Sequence, residues 1–322
     1  MNALSEVLRT INLTGAVFLD ARFAAPWSLS ADGSLLKQRL PQVEHFIYYH
    51  YVAAGSCIAQ TGGLDPVAVD PGHVVVFPHG SAHVMASAQG LHPIPMETVF
   101  ESSLSGGGTR LRYGGDGPTT RIVCGFLACD PRLCRPVLSA LPTLMTVDLR
   151  KGGSGDWMER SIEHSLSEAA SGRPGSEALL AKLSEVLFTE TLRCYMEDLP
   201  AEKAGWLLGL RDPLVGRALA RLHAESARPW TVDGLAREVC SSRSVLAERF
   251  SHFLGEPPMR YLARWRLALA AHLLQATPAS VGAIADEVGY VSETSFNRAF
   301  KRAYGASPHR WRLSRAGRGG EH

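Results

Sequence analysis

Thr231-Val232-Asp233-Gly234-Leu235-Ala236-Arg237-Glu238-Val239 and Ser280-Val281-Gly282-Ala283-Ile284-Ala285-Asp286-Glu287-Val288 are one stretch written twice, 49 residues apart. Farther along the offset becomes 50, and Ser242, Leu246, Phe250, Gly255, Pro258 and Arg260 match Ser292, Phe296, Phe300, Gly305, Pro308 and Arg310. A repeat of this kind is one supersecondary unit used twice. Each copy reads as a short helix, a turn and a second helix, over 231–254 and 280–304. Leu235-Ala236 and Ile284-Ala285 give the short helix a narrow apolar face that a second helix can cross closely. Ser242 and Ser292 can cap the second helix, Leu246/Phe250 and Phe296/Phe300 anchor it at i, i+4, and Gly255 and Gly305 suit left-handed C-terminal caps.

One face of each second helix is left over. In the first copy it carries Arg243, Ser244, Ala247 and Glu248, and in the second Glu293, Thr294, Asn297, Arg298 and Lys301. The second set holds the residue types that read base edges or grip phosphates: Asn for adenine, Arg for guanine, Lys for the backbone. The segment from Pro257 to about Gln275 places Leu262, Trp265, Leu269 and Leu273 on one stripe and predicts a rigid helix between the copies. Such a strut would set two recognition helices about 34 Å apart, in successive major grooves of double-stranded DNA. Arg260, Arg264 and Arg310 are candidates for phosphate contact.

Charge agrees with a polyanionic partner for this end of the chain alone. From Arg228 onward there are 14 Lys and Arg against 8 Asp and Glu, a net of +6, whereas the whole chain carries +2 and the remainder therefore −4. Upstream, Gly15 to Phe23, Phe46 to Ala53, His73 to Pro78 and Arg121 to Leu127 are short apolar or alternating runs parted by turn clusters such as Thr61-Gly62-Gly63 and Gly106-Gly107-Gly108, an all-β pattern of sandwich or barrel type. Beyond Pro142 the period becomes helical, with Met158, Ile162 and Leu166, then Leu179, Leu180, Leu183, Val186 and Leu187, parted by Ser171-Gly172-Arg173-Pro174-Gly175. Asp212-Pro213 is an N-cap acceptor followed by a first-turn proline and opens the last domain. The expected division is a sensor domain over 1–142, a helical linker and possible dimerisation region over 143–205, and a DNA-binding domain over 210–315. With 45% hydrophobic and 20% charged residues, disorder is excluded. No run is apolar enough to span a bilayer, and Met1 to Arg9 lacks a signal peptide's pattern, so the expectation is a cytoplasmic protein with six reduced cysteines.

Ala285-Asp286-Glu287-Val288-Gly289-Tyr290, Ser292-Glu293, Phe296, Phe300-Lys301 and Gly305-Ala306-Ser307-Pro308 resemble the signature of the AraC/XylS family of transcription regulators. The resemblance spans about Asp212 to Leu313 and implies a seven-helix domain whose two second helices both enter the major groove. Ala247 and Glu248 depart from a polar base-reading surface in the first copy. Gly72-His73-Val74-Val75-Val76-Phe77-Pro78-His79-Gly80-Ser81-Ala82-His83 resembles the second motif of the cupin β-barrel, whose histidine points inward. In metal-binding cupins an H-x-H and a glutamate complete the site; here Tyr48 stands in the glutamate's place and no H-x-H is present, so neither a metal nor a cofactor is expected. Gly15-Ala16-Val17-Phe18, Trp27, Cys57, Cys124-Gly125 and Leu141-Pro142 are similar to cupin-type effector domains that precede some AraC-type modules.

The fold expected is multidomain α+β, an N-terminal cupin-like β-barrel with a helical linker and a C-terminal all-α double helix-turn-helix domain. Tyr48, His50 and His83 are candidates to line an effector pocket at the barrel mouth, with His73 and His79 near in sequence, and Cys57 and Cys124 are candidates for thiol sensing. The expected activity is sequence-specific regulation of transcription, with no catalytic residues, an unidentified small-molecule or redox effector, contact with RNA polymerase, and homodimerisation. A cupin metalloenzyme joined to a DNA-binding module is the alternative, and it lacks a facial triad of ligands.

Overall fold

The computed structural model describes residues 3–11, 13–99, 110–152, 155–170, 173–200 and 205–316. Gly106-Gly107-Gly108 and Ser171-Gly172 lie outside them. The chain forms two compact units, one of Leu13–Pro131 with Leu141–Leu199, the other of Met1–Asn12, Arg132–Ala140 and Pro200–His322. Among the described residues no helix is long and apolar enough to cross a membrane.

The first unit is built on strands β1 (Thr14–Ala24), β2 (Ser28–Ala31), β3 (His45–Ala54), β4 (Cys57–Thr61), β5 (Val67–Val69), β6 (His73–Phe77), β7 (His83–Ala86), β8 (Ile94–Pro95), β9 (Arg110–Gly114), β10 (Thr119–Cys129) and β11 (Met145–Asp148). They make a six-stranded sheet ordered β11-β6-β3-β10-β1-β9 and a five-stranded sheet ordered β5-β4-β7-β2-β8. The core takes alternate residues of both, among them Phe23, Phe46, Val75, Phe77 and Cys124 from the first and Leu29, Cys57, Ala59 and Met85 from the second.

The helices expected to link the domains belong to this unit as a layer on the six-stranded sheet. Helix α4 (Gly155–Ala170) buries Met158, Ile162 and Leu166; α5 (Ser176–Asp198) buries Leu180, Leu183, Leu187, Phe188 and Leu192, while Leu179 and Val186 stay exposed. Each such buried side chain contributes about 1.5–3 kcal/mol. Tyr49 fixes the seat of α5: its ring crosses Gly125, where an added Cβ would meet ring atoms at 2.1 Å, and its hydroxyl lies 2.6 Å from Ser184 Oγ.

The second unit is helical. It contains α1 (Ala3–Ile11), α3 (Pro131–Leu138), α6 (Trp206–Arg211), α7 (Pro213–Ala224), α8 (Val232–Glu238), α9 (Arg243–Leu254), α10 (Pro258–Ala276), α11 (Val281–Glu287), α12 (Glu293–Tyr304) and α13 (Pro308–Ala316); the short α2 (Ser34–Arg39) belongs with the strands. The division expected at residue 142 is thus not where the compact units part. Two segments from before it pack with the helices: α1 lays Leu4, Val7 and Ile11 against α7, and Arg132 of α3 donates to Gln275 Oε1 at 3.2 Å with its guanidinium over the Trp311 ring. Asp212 caps α7 by accepting from the Leu214 and Val215 amides and also meets Arg249 of α9. Burial opposes its ionisation, yet the Val215 amide and Arg249 hold its pKa below the ordinary carboxylate value.

Helix α10, 19 residues and about 28 Å long, is buried on more of its surface than the single stripe predicted. Leu267, Ala270, Ala271 and Leu274 face the core of the second helix-turn-helix unit, and Leu269 and Leu273 are only partly covered there. An exposed side would have suited a free strut; here two cores share the helix.

Each turn between paired helices is left-handed, at Cys240 (φ 55°) in the first copy and at Gly289 (φ 85°) in the second. A Cβ at Gly289 would also lie 2.4 Å from the Ala227 carbonyl oxygen, so two constraints require glycine there. Exposed Cys240 satisfies the same backbone at a steric cost of about 1 kcal/mol. Cys240→Gly is therefore expected to leave stability unchanged or raise it by up to about 1 kcal/mol, whereas Gly289→Ala lowers it by more than about 2 kcal/mol. Urea unfolding of the two variants measures this, and equal effects would refute the assignment.

Candidate nucleic-acid interface

The two second helices start and stop as their sequences demand. Ser242 accepts from the Val245 amide and Ser292 from the Ser295 amide, and Gly255 (φ 70°) and Gly305 (φ 72°) close them. Leu246, Phe250, Phe296 and Phe300 are fully buried. Fixing those faces inward turns Arg243, Ser244 and Glu248 of α9, and Thr294, Arg298 and Lys301 of α12, to solvent; Ala247 and Asn297 are half-buried.

Neighbours grade these candidates. The Arg243 guanidinium is 3.7 Å from exposed Asp233, a pairing loose enough to be exchanged for a phosphate. Glu293 Oε2 would lie 2.9 Å from a Cβ on Gly282, which places the carboxylate over the first turn of α11, where the helix terminus favours an anion. Of the three arginines proposed for phosphates, Arg264 is committed to Glu256 and to the face of Tyr261, whereas Arg260, 4.0 Å from Glu256, and Arg310 are exposed. Val245 on α9 and Val291 before α12 were not singled out by sequence, yet they are 46% and 99% exposed. Their signal was an apolar residue off the buried i, i+4 stripe.

The repeat reaches one helix farther upstream than Thr231. Arg217 of α7 and Arg266 of α10 are 49 residues apart, as are His223 and His272. Arg217 Nη2 donates to the Val239 carbonyl at 3.1 Å, and Arg266 Nη1 to the Gly289 carbonyl at 3.0 Å, so each turn is gripped by an arginine of the long helix before it.

In the strand unit the structure gathers the predicted residues into a hydrogen-bonded row. His83 Nδ1 lies 2.9 Å from the Ser81 carbonyl, which can only accept, so this nitrogen carries the proton. Burial lowers the His83 pKa to about 4, leaving Nε2 bare to accept from His50 Nε2 at 2.9 Å. Burial, with His83 alongside, also holds His50 neutral, so its Nδ1 accepts from the Cys124 thiol at 3.1 Å. Tyr48 lies beside His83, with ring centroids 5.6 Å apart, and burial raises its pKa to about 12. Cys57 lines the same core, and burial raises its thiol to about 12. His73 and His79 turn instead to the carbonyls of Asp70 and Leu141. The cupin metal does not fit this arrangement, because the two imidazole nitrogens that could hold it are spent on each other; among the described residues no three His, Cys, Asp or Glu side chains gather as ligands.

With both regions in view, comparison with known proteins is decisive. A cupin family model matches residues 2–197, a helix-turn-helix domain model matches residues 235–314, and an AraC-like transcription regulator of Streptomyces lividans is 30% identical over 96% of this chain and 97% of its own. The chain belongs to the AraC-type transcription regulators with an N-terminal cupin domain. The HTH-type transcriptional regulator AlkR of Acinetobacter baylyi is 29% identical to this regulator over 97% of the chain and 99% of its own. A solved structure of the DNA-binding domain of AdpA in complex with a target DNA is 29% identical, with a TM-score of 0.32, over 34% of the regulator and 99% of that chain.

Two predictions follow from burial. Folded protein is expected to give up one rapidly reacting thiol of its six, at exposed Cys240, to an aromatic disulfide reagent, with Cys57 and Cys124 released only on unfolding. Rapid labelling of Cys124 in the native state would contradict the row. His50, His83 and His223 all have folded pKa values below 6.5, with His223 lowered by burial and Arg264 to about 3. The unfolded chain thus binds protons the folded chain refuses, and stability is complete above pH 6.5 and lost as pH falls toward 4. Urea midpoints between pH 8 and 5 should fall, each histidine contributing at most about 1.4 kcal/mol per pH unit, and His223→Gln should lessen the slope for the helical unit.

Proposed function

We propose that the regulator reads its operator chiefly through α12, with Asn297 and Arg298 on base edges and Thr294 and Lys301 on the backbone, and that α9 positions the domain through Arg243 and Ser244. The observation that carries this reading is the contrast between the two capped helices. Thr294, Arg298 and Lys301 stand free on α12, whereas Ala247, Glu248 and exposed Val245 interrupt the corresponding face of α9. Glu293 serves α11 and leaves the groove to its neighbours.

The cupin domain supplies the signal. An effector bound there alters operator affinity or contact with RNA polymerase through the helices packed on its sheet. Exposed Leu179 and Val186 on α5 support self-association through that helix. The reading is of regulation in the cytoplasm and not of catalysis.

The test begins with selection of bound sites from random duplex DNA, with and without candidate effectors. Asn297→Ala and Arg298→Ala are then each expected to weaken binding to the selected site by about 1–3 kcal/mol, roughly 5- to 150-fold, with little loss on random sequence. Arg243→Ala should weaken both alike and reduce the salt dependence. Equal losses on selected and random DNA for Asn297→Ala and Arg298→Ala would sink the assignment.

A further inference from the structure

Arg121 of β10, Arg22 of β1 and Arg112 of β9 are successive partners across three strands. Two residues earlier along β1 and β9, Asp20 stands opposite Arg110. Residues i and i+2 of a strand share a face, and Ala21, Phe23 and Leu111 point into the core, so these charged side chains all project from the outer side. Like charges directly opposite one another destabilise a sheet, and here three guanidinium groups lie in a row.

Among the described residues, only Arg121 of the three is ion-paired. Arg121 binds Asp20 through Nε at 2.8 Å and Nη2 at 3.0 Å and also meets Glu163 of α4. Arg22, Arg110 and Arg112 are exposed and form no ion pair among the described residues. Beside them is a cavity of about 310 Å³, lined by all four arginines, by Leu166 and Ser167 of α4, and by Asp20 and Glu163, the two carboxylates already bound to Arg121. A second cavity, of about 390 Å³, adjoins it and shares Arg22 and Arg112. By contrast, Tyr48, His50 and His83, expected at a pocket, are buried side chains in contact with one another.

We propose that this ledge binds a small oxyanion, the carboxylate or phosphate group of a metabolite, between Arg22, Arg110 and Arg112. Guanidinium forks match such groups in two-point hydrogen bonding, and the bound charge relieves the repulsion along the row. The volume suits a small ligand. An anion there also competes with Glu163 for Arg121, a contact between α4 and the sheet, so occupancy and helix position are coupled. That last step rests on the effector reading above; the site itself does not.

The experiment titrates the full chain with inorganic phosphate and with citrate, against chloride at matched ionic strength, by calorimetry and thermal unfolding. Wild type is expected to bind at least one of the two, and which one identifies the anion class. Arg22→Gln/Arg112→Gln is expected to bind at least about tenfold more weakly, with a ligand-free melting temperature equal to or above wild type because the repulsion is gone. Arg112→Lys, which keeps the charge and loses the fork, should fall between. Absence of binding by either anion to wild type, or equal binding by the double variant, overturns the proposal. Binding that leaves operator affinity unchanged upholds the site and overturns its coupling to operator affinity.

Discussion

Three backbone carbonyls, of Ser226, Arg228 and Gly289, converge on the guanidinium of Arg266 at 2.7, 2.6 and 3.0 Å. A turn between two short helices leaves carbonyls without partners, and an unmet carbonyl in a half-buried place is costly. By answering three of them from one rigid fork, Arg266 joins the second turn to the segment entering the first helix-turn-helix copy. Arg217 does the same for the first turn through Val239. Helices α9 and α12 inherit their orientation from these contacts. Seven- and twelve-residue helices are too short to be stable in water by themselves, so packing must hold them.

The strand unit solves a different problem, that of polar groups within an apolar core. A carbonyl that can only accept fixes the tautomer of His83, which fixes His50, which leaves Cys124 as a donor. Each of these three side chains is satisfied as long as none is charged, and burial supplies that condition by disfavouring every ionised form. The row therefore argues for a structural role for these histidines and against a reactive thiolate at Cys124.

Outside the barrel the logic is reversed. The face that carries α4 and α5 closes over apolar residues around Tyr49 and Ser184, then opens where β1 and β9 present arginines. A sheet face so charged is poorly matched to itself and well matched to an anion. Because α4 bears both Glu163 and the wall of the cavity, the same helix belongs to the hydrophobic layer and to the charged ledge.

What could be read without coordinates was local or repeated. The helix-turn-helix units, their serine caps and their glycine stops depend on neighbours within a few residues, and duplication at offsets of 49 and 50 made them unmistakable. The glycine-proline-histidine spacing around Gly72 to His83 likewise announced a tight hairpin with an inward histidine. Folding decided whatever joins distant segments. Arg217 and Arg266 look like ordinary surface cations until the turns they grip are in place, and the bond between His50 and Cys124 spans 74 residues. Helices α1 and α3, though they precede residue 142, fall in the helical unit because burial against the helices, not position along the chain, assigns a segment to a unit. The arginine row was invisible for the same reason: strand register, which no local pattern states, brings Arg22, Arg112 and Arg121 side by side.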